Sequence, residues 1–299
     1  MSKHDSNVLL LINWGIGYKV LLSVLEKVKK DKITVISGSD ASSSDRYANQ
    51  IAKTCVAEDV KFIPQDKSIL DEYFGKNDFV ISAACPYLLK EELLLLPRFG
   101  VVNLHGSLLP KSRGVSPLNW SLINGDKKVG LTTHFIDAEV DSGNIIHQTE
   151  LIVMMKDNLN SLSDKIALIA PIHIDYLFKN IHNLKTISRT QDLSSSTFAP
   201  RLKGVDYLVE INESTNVTNL VMEIKGKQYK QNHPKISING FTVDVCDIDL
   251  SIMDNVGEPP GTIVQFNGDE IIFVLGDKYI SIITSSSLPN NLKVGMRIF

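Results

Sequence analysis

The sequence predicts an α/β fold class: a doubly wound domain on a largely parallel sheet, followed by a small antiparallel β domain. Three observations carry this. Apolar β-rich runs alternate with helical patterns through the first hundred or so residues. Short strands separated by Asn-Gly turns fill the region beyond residue 200. Between the two textures lies QDLSSSTFAP, a Ser-rich stretch ending in Pro. The expected division is 1–190, a linker over 191–200, and a second domain over 201–299.

The first strand is expected at 7–12. Its apolar run is too short for a secretory or membrane-spanning segment, so neither a leader nor a membrane anchor is expected. A helix at 18–29, a strand at 33–37, a helix at 45–55 and strands at 60–62 and 79–82 continue the alternation. Short helical stretches begin at Ser68 and Lys90, and 101–104 reads as a further buried strand running into His105.

Strands at 129–136 and 145–153 follow, then a helix from Ser161, with Asp164 three residues on as a capping-box variant. Its apolar spacing, Leu162, Ile166, Ile169, Ile172 and Tyr176, marks one packed face. Pro171 predicts a kink or a division. Past the linker, strands are expected at 237–238, 242–245, 261–266, 271–275 and 279–283, with Asn-Gly turns at 239–240 and 267–268.

Composition narrows the function classes. With 43% hydrophobic and 22% charged residues the chain reads as an ordinary globular protein. Net charge is −3; from residue 201 onward nine Lys/Arg face twelve Asp/Glu, and residues 1–200 carry 22 of each. Neither part offers the basic surface a nucleic acid requires. Cys55, Cys85 and Cys246 form no close pair, so no disulfide framework or zinc site is expected and a reducing cytoplasm fits.

The chemistry concentrates in 101–143, VVNLHGSLLPKSRGVSPLNWSLINGDKKVGLTTHFIDAEVDSG. Strand alternation aims Asn103 and His105 at one face, at the carboxyl end of the sheet. The loop after them carries Ser107, Lys111 and Arg113, groups suited to an anionic substrate. Asp141, at the end of a later loop, can orient an imidazole on a neighbouring strand. Asn, His and Asp together suit acyl transfer: Asn103 and a protonated His105 donate to a developing oxyanion, while Asp141 holds His105 and helps remove an amine proton. No metal is required.

NLHGSLLPKSRG, PLNW and the Asp-x-Gly at Asp141–Gly143 resemble the signature of the folate-dependent formyltransferases. The resemblance spans nearly the whole chain. It implies a Rossmann-like catalytic domain with Asn103, His105 and Asp141 as catalytic residues, and a small open β-barrel, OB-like, at the carboxyl end. It also implies 10-formyltetrahydrofolate as cosubstrate, its pterin held by the loops carrying Pro86, Tyr87 and Leu88 and, before the Asp, Ile136 and Val140.

Among family members the acceptor is the amine of an aminoacyl-tRNA or of a nucleotide-linked amino sugar. The tRNA-directed enzymes carry a basic insertion after the second strand, where this chain reads SGSDASSSDRYANQ. Pro86–Leu89 and Pro117–Trp120 resemble the sugar enzymes, including the formyltransferase part of the bifunctional aminoarabinose enzyme, whose dehydrogenase domain is not expected here. The expected partner is therefore a nucleotide-linked amino sugar, with no nucleic acid and no membrane; a homodimer is left open. Methionyl-tRNA formylation is the alternative, and a non-catalytic folate- or nucleotide-binding module the alternative of another class.

Gly15-Ile16-Gly17 with Asp40 hints at a dinucleotide fingerprint, but Val20 stands where its third glycine belongs. His134 and His147 have no partner visible in sequence and read as structural.

Overall fold

A computed structural model describes residues 3–38, 47–228, 232–238, 240–255, 257–285, 288 and 291–299. In chain order the elements are β1 (Val8–Ile12), α1 (Trp14–Lys27), β2 (Ile33–Ser37), α2 (Ala48–Ala57), β3 (Lys61–Pro64) and α3 (Leu70–Phe74). Next come β4 (Phe79–Ala83), α4 (Glu91–Leu94), β5 (Val101–His105), α5 (Pro117–Ile123), β6 (Lys128–Phe135), β7 (Ile145–Ile152), α6 (Leu159–Lys179) and α7 (Leu184–Ile187). The last are β8 (Leu208–Val209), α8 (Val217–Lys227), β9 (Lys235–Ile238), β10 (Phe241–Asp254), β11 (Ile263–Asn267), β12 (Glu270–Leu275) and β13 (Lys278–Thr284). Contacts divide the chain into two units: Met1–Gly114, Lys128–Ile152 and Ser161–Phe198 form one, and Val115–Lys127, Val153–Asn160 and Ala199–Phe299 the other.

The first unit holds a seven-stranded sheet in the order β3-β2-β1-β4-β5-β6-β7. Pairings from β3 to β5 are parallel, while β6 pairs antiparallel with both β5 and β7. Central β1 reads VLLLI and is buried throughout, as a strand covered on both faces must be. Gly15 and Gly17 lie in the first turn of α1, where a Cβ on Gly17 would come within 2.9 Å of the Ile12 Cβ. Gly17 is needed for that close helix–strand approach. Asp40, the rest of 39–46 and the expected helix start at 45 lie outside the described residues, as does Asn239 of the first Asn-Gly pair.

Helix α6 runs unbroken through Pro171, so the expected division does not occur. Proline removes one backbone bond, but burial of Leu162, Ile166, Ala170, Ile174 and Leu177 on one stripe keeps the helix continuous. From the same stripe His173 reaches Thr133 Oγ1 (2.8 Å) and Thr149 Oγ1 (3.0 Å), and burial pushes its imidazole down to about 3. His147 stacks on Tyr176. No helix among the described residues is long and apolar enough to cross a membrane.

The second unit holds a six-stranded sheet, β11-β12-β13-β10-β9-β8, antiparallel apart from the β8/β9 pair. Its core gathers alternate strand residues such as Ile236, Val243, Phe273 and Ile282 under Leu220 and Ile224 of α8. Helix α5 belongs here: Asn119 Nδ2 donates to the Gly226 carbonyl in α8 at 2.8 Å.

Candidate active site

The site starts from the register of β5 against β6. Asn103 and His105 share a face of β5 by alternation. In the antiparallel pairing Asn103 lies directly opposite His134, and His105 opposite Thr132. Opposed residues share a face, which places Asn103 Nδ2 3.4 Å from His134 Nε2. His134 Nδ1 donates to the Phe135 carbonyl at 2.7 Å, leaving Nε2 as the acceptor for Asn103 in the neutral ring.

Asp141 comes from the loop joining β6 and β7 and lies in the left-handed region, φ 52°. Its Oδ2 accepts from Gly114 N at 2.8 Å and lies 3.5 Å from His105 Nδ1. Its Oδ1 lies 3.4 Å from His134 Nε2 and 3.5 Å from Asn103 Nδ2. A carboxylate thus sits among one amide and two imidazoles. Gly143 lets the loop close, since a Cβ there would overlap the Phe135 carbonyl oxygen.

Burial lowers His105 below the ordinary histidine value, against the opposing pull of the Asp141 charge and the Ser112 carbonyl. At neutral pH the resting ring is neutral rather than protonated. Its Nε2 lies 2.9 Å from the Ser112 carbonyl, which can only accept, so the proton is on Nε2 and Nδ1 faces Asp141. For Asp141, burial alone would raise the carboxyl, but His105, His134 and the Gly114 N–H outweigh it and hold it below the usual carboxylate range.

The loop residues expected to meet substrate are placed differently from one another. Ser107 is buried and its hydroxyl donates to the Lys111 carbonyl at 2.8 Å; Lys111 is exposed. Arg113 is only 4% exposed: its Nε donates to the Val140 carbonyl at 2.7 Å, Nη2 lies 3.5 Å from Glu139, and the guanidinium lies over the Phe198 ring. Arg113 therefore braces the loop before Asp141. Pro86, Leu88 and Val140 are exposed, whereas Tyr87 and Ile136 pack against the core cluster that includes Val80 of β4 and Val101 of β5.

His134, at 1% exposed, is part of this cluster, although the sequence alone reads it as structural. One signal was available: Thr132 and His134 alternate with apolar Leu131 and with Thr133, marking a polar face on that strand. What the sequence lacked was the register that sets it against Asn103. Among the described residues no group of three or more His, Cys, Asp or Glu is arranged to hold a metal ion.

Residues 22–174 match the family model described as Formyl transferase. A methionyl-tRNA formyltransferase of Caldanaerobacter subterraneus is 26% identical over 283 residues, 94% of this chain and 88% of that protein. Among solved structures, WlaRD, a sugar 3N-formyl transferase in the presence of dTDP and 5-N-formyl-THF, superposes with a TM-score of 0.73 at 19% identity, covering 95% of this chain and 100% of the other. An N-formyltransferase from Helicobacter canadensis, solved with folinic acid and dTDP-3-aminofucose, gives 0.73 at 19% identity, covering 93% and 99%.

Proposed function

The chain belongs to the formyl transferase family, and we propose that it moves a formyl group from 10-formyltetrahydrofolate onto the amino group of a nucleotide-linked amino sugar. The observation that carries the reading is the Asp141 carboxylate set among Asn103, His105 and His134. When an amine attacks a formyl carbon, negative charge builds on oxygen and positive charge on nitrogen. Asn103 Nδ2 donates to the oxygen. His105, fixed through Nε2 by Ser112, takes on Nδ1 the proton that the attacking amine releases and becomes the other donor.

Asp141 stays ionised, balances the His105 imidazolium and so helps remove the amine proton. As the bond between the formyl carbon and the donor nitrogen breaks, that nitrogen takes up the proton, so charge returns to its starting count. For the folate ring itself, Tyr87, Leu89 and Ile136 supply an apolar wall packed on the core beside β4 and β5. Flat heteroaromatic rings suit such a wall.

Charge supports the sugar acceptor. A tRNA ligand is held chiefly through phosphate contacts from Lys and Arg, and residues 201–299 carry more acidic than basic groups. The two solved relatives above, one with dTDP and one with a dTDP-amino sugar, lend further support. Methionyl-tRNA stays the second reading because the bacterial relative that aligns over 94% of this chain acts there by name. The test is a panel: nucleotide-linked amino sugars and methionyl-tRNA, each with 10-formyltetrahydrofolate. Turnover of a sugar nucleotide ahead of the tRNA is expected; efficient tRNA formylation with every sugar inert overturns the acceptor. A protein that folate stabilises against heat but that formylates nothing is a binding module.

A further inference from the structure

The site contains two non-glycine residues in the left-handed region, Ser112 (φ 56°) and Asp141 (φ 52°). Such backbone is unfavourable for an L-residue and persists where the surroundings hold it. Each of the two serves one reacting group: Ser112 through the carbonyl that fixes His105 Nε2, Asp141 through its own carboxylate.

Both are held by the same stretch of chain, the segment whose sequence reads as a linker. Ile145 and Arg189 exchange backbone hydrogen bonds at 2.8 Å, which lays the start of the segment along β7. Gln191 follows, 6% exposed, and its Nε2 donates both hydrogens: to the Asp141 carbonyl at 2.9 Å and to the Gly143 carbonyl at 2.7 Å. At its other end Thr197 Oγ1 accepts from Ser112 N at 2.8 Å, and the Thr197 carbonyl accepts from Arg113 N at 2.9 Å. Gln191 Oε1 is buried without a hydrogen-bond partner. A side chain that only fills space has no reason to bury an unpaired acceptor; this one is oriented by the two bonds its amide nitrogen makes.

We infer that Gln191 is a positioning residue for the formyl-transfer reaction, clamping the backbone of Asp141 so that the carboxylate meets His105 and Asn103, with Thr197 doing the same for the Ser112 carbonyl. The inference rests on the reading in the preceding subsection. It assigns catalytic consequence to a side chain that touches no reacting atom.

The test is a cycle of Gln191→Met, which keeps length and apolar bulk but removes both donors, with Asp141→Asn. In the single variant kcat falls about 10–100-fold, the range that misplacement of a reacting group produces, while KM for 10-formyltetrahydrofolate changes less than about twofold, because binding is not the clamp's role. In the Asp141→Asn background the same change costs nothing further, since the group being positioned has gone. An unaltered kcat, or an equal loss in both backgrounds, overturns the inference.

Crystal structures of wild type and Gln191→Met give a readout that needs no turnover. Asp141 Oδ2 is expected to leave Gly114 N in the variant, and a carboxylate that keeps that bond and its place beside His105 refutes the clamp. A wild-type protein inactive with every acceptor instead sinks the formyl-transfer reading and leaves the crystal structures to decide the clamp. If Gln191→Met fails to fold, Gln191→Glu, isosteric and without the amide nitrogen, takes its place in both arms.

Discussion

Asp141→Asn is the sharpest single perturbation of the site, because it removes one charge while keeping the shape that Gly114 N holds. Asp141 Oδ2 lies 3.5 Å from His105 Nδ1. Between unit charges at that separation, an effective dielectric of about 20 gives an attraction of about 5 kcal/mol. That attraction exists only once His105 is protonated, which is when the formyl oxygen carries charge, so its loss falls on the transition state. At ~1.4 kcal/mol per factor of ten, kcat should drop about 10³-fold. Single-turnover formyl transfer measures the loss, and a melting experiment with folate checks that the ligand still binds the variant. An Asp141→Asn enzyme within tenfold of wild type refutes the assigned role.

Asn103→Ala and His105→Ala should each cost about 10²–10³ in kcat, the usual price of one oxyanion donor, with melting temperatures little changed; near-normal turnover by either variant contradicts the assignment. His134→Gln should lower kcat about 10-fold without weakening folate binding, since the ring orients the Asn103 amide rather than touching substrate; a KM effect alone counts against this. Stability should depend on pH through His173. Burial depresses its folded value to about 3, so the unfolded chain binds the extra proton first, and stability falls as pH drops below about 6.5 towards 3, by up to about 1.4 kcal/mol per unit. His173→Gln should flatten that slope in denaturant titrations read at pH 7, 5 and 4, and an unchanged slope refutes the assignment.

Much of the first unit was legible because its strands are short apolar runs bounded by polar turns; β2, expected at 33–37, forms over those residues. The start of α1 is not, since Asn13 at its N-cap makes no side-chain capping bond and Trp14, the first helical residue, is itself left-handed at φ 59°. Helices α5 and α8 are also illegible in the sequence. One spans seven residues, too few for a period to show, and the other, VTNLVMEIKGK, is rich in β-branched residues and carries a glycine. In the site, Asn103, His105 and Asp141 stood out by residue type and motif, and the fold brings them together. His134 and Gln191 did not, because their contribution depends on strand register and on a loop carbonyl. Neither leaves a trace in composition.

The division of the chain has a consequence for exchanging parts between relatives. The chain passes between the two units five times, after residues 114, 127, 152, 160 and 198. Helix α5, only a few residues past the loop that carries Ser112 and Arg113, hydrogen-bonds to α8 a hundred residues later. A chimera spliced at residue 200 would therefore join an α5 shaped for one α8 to the α8 of another protein. Hybrids that carry residues 115–127 and 153–160 along with the carboxyl-terminal part should fold where single-junction hybrids do not, which makes these two short inserts the natural unit of inheritance with the second sheet.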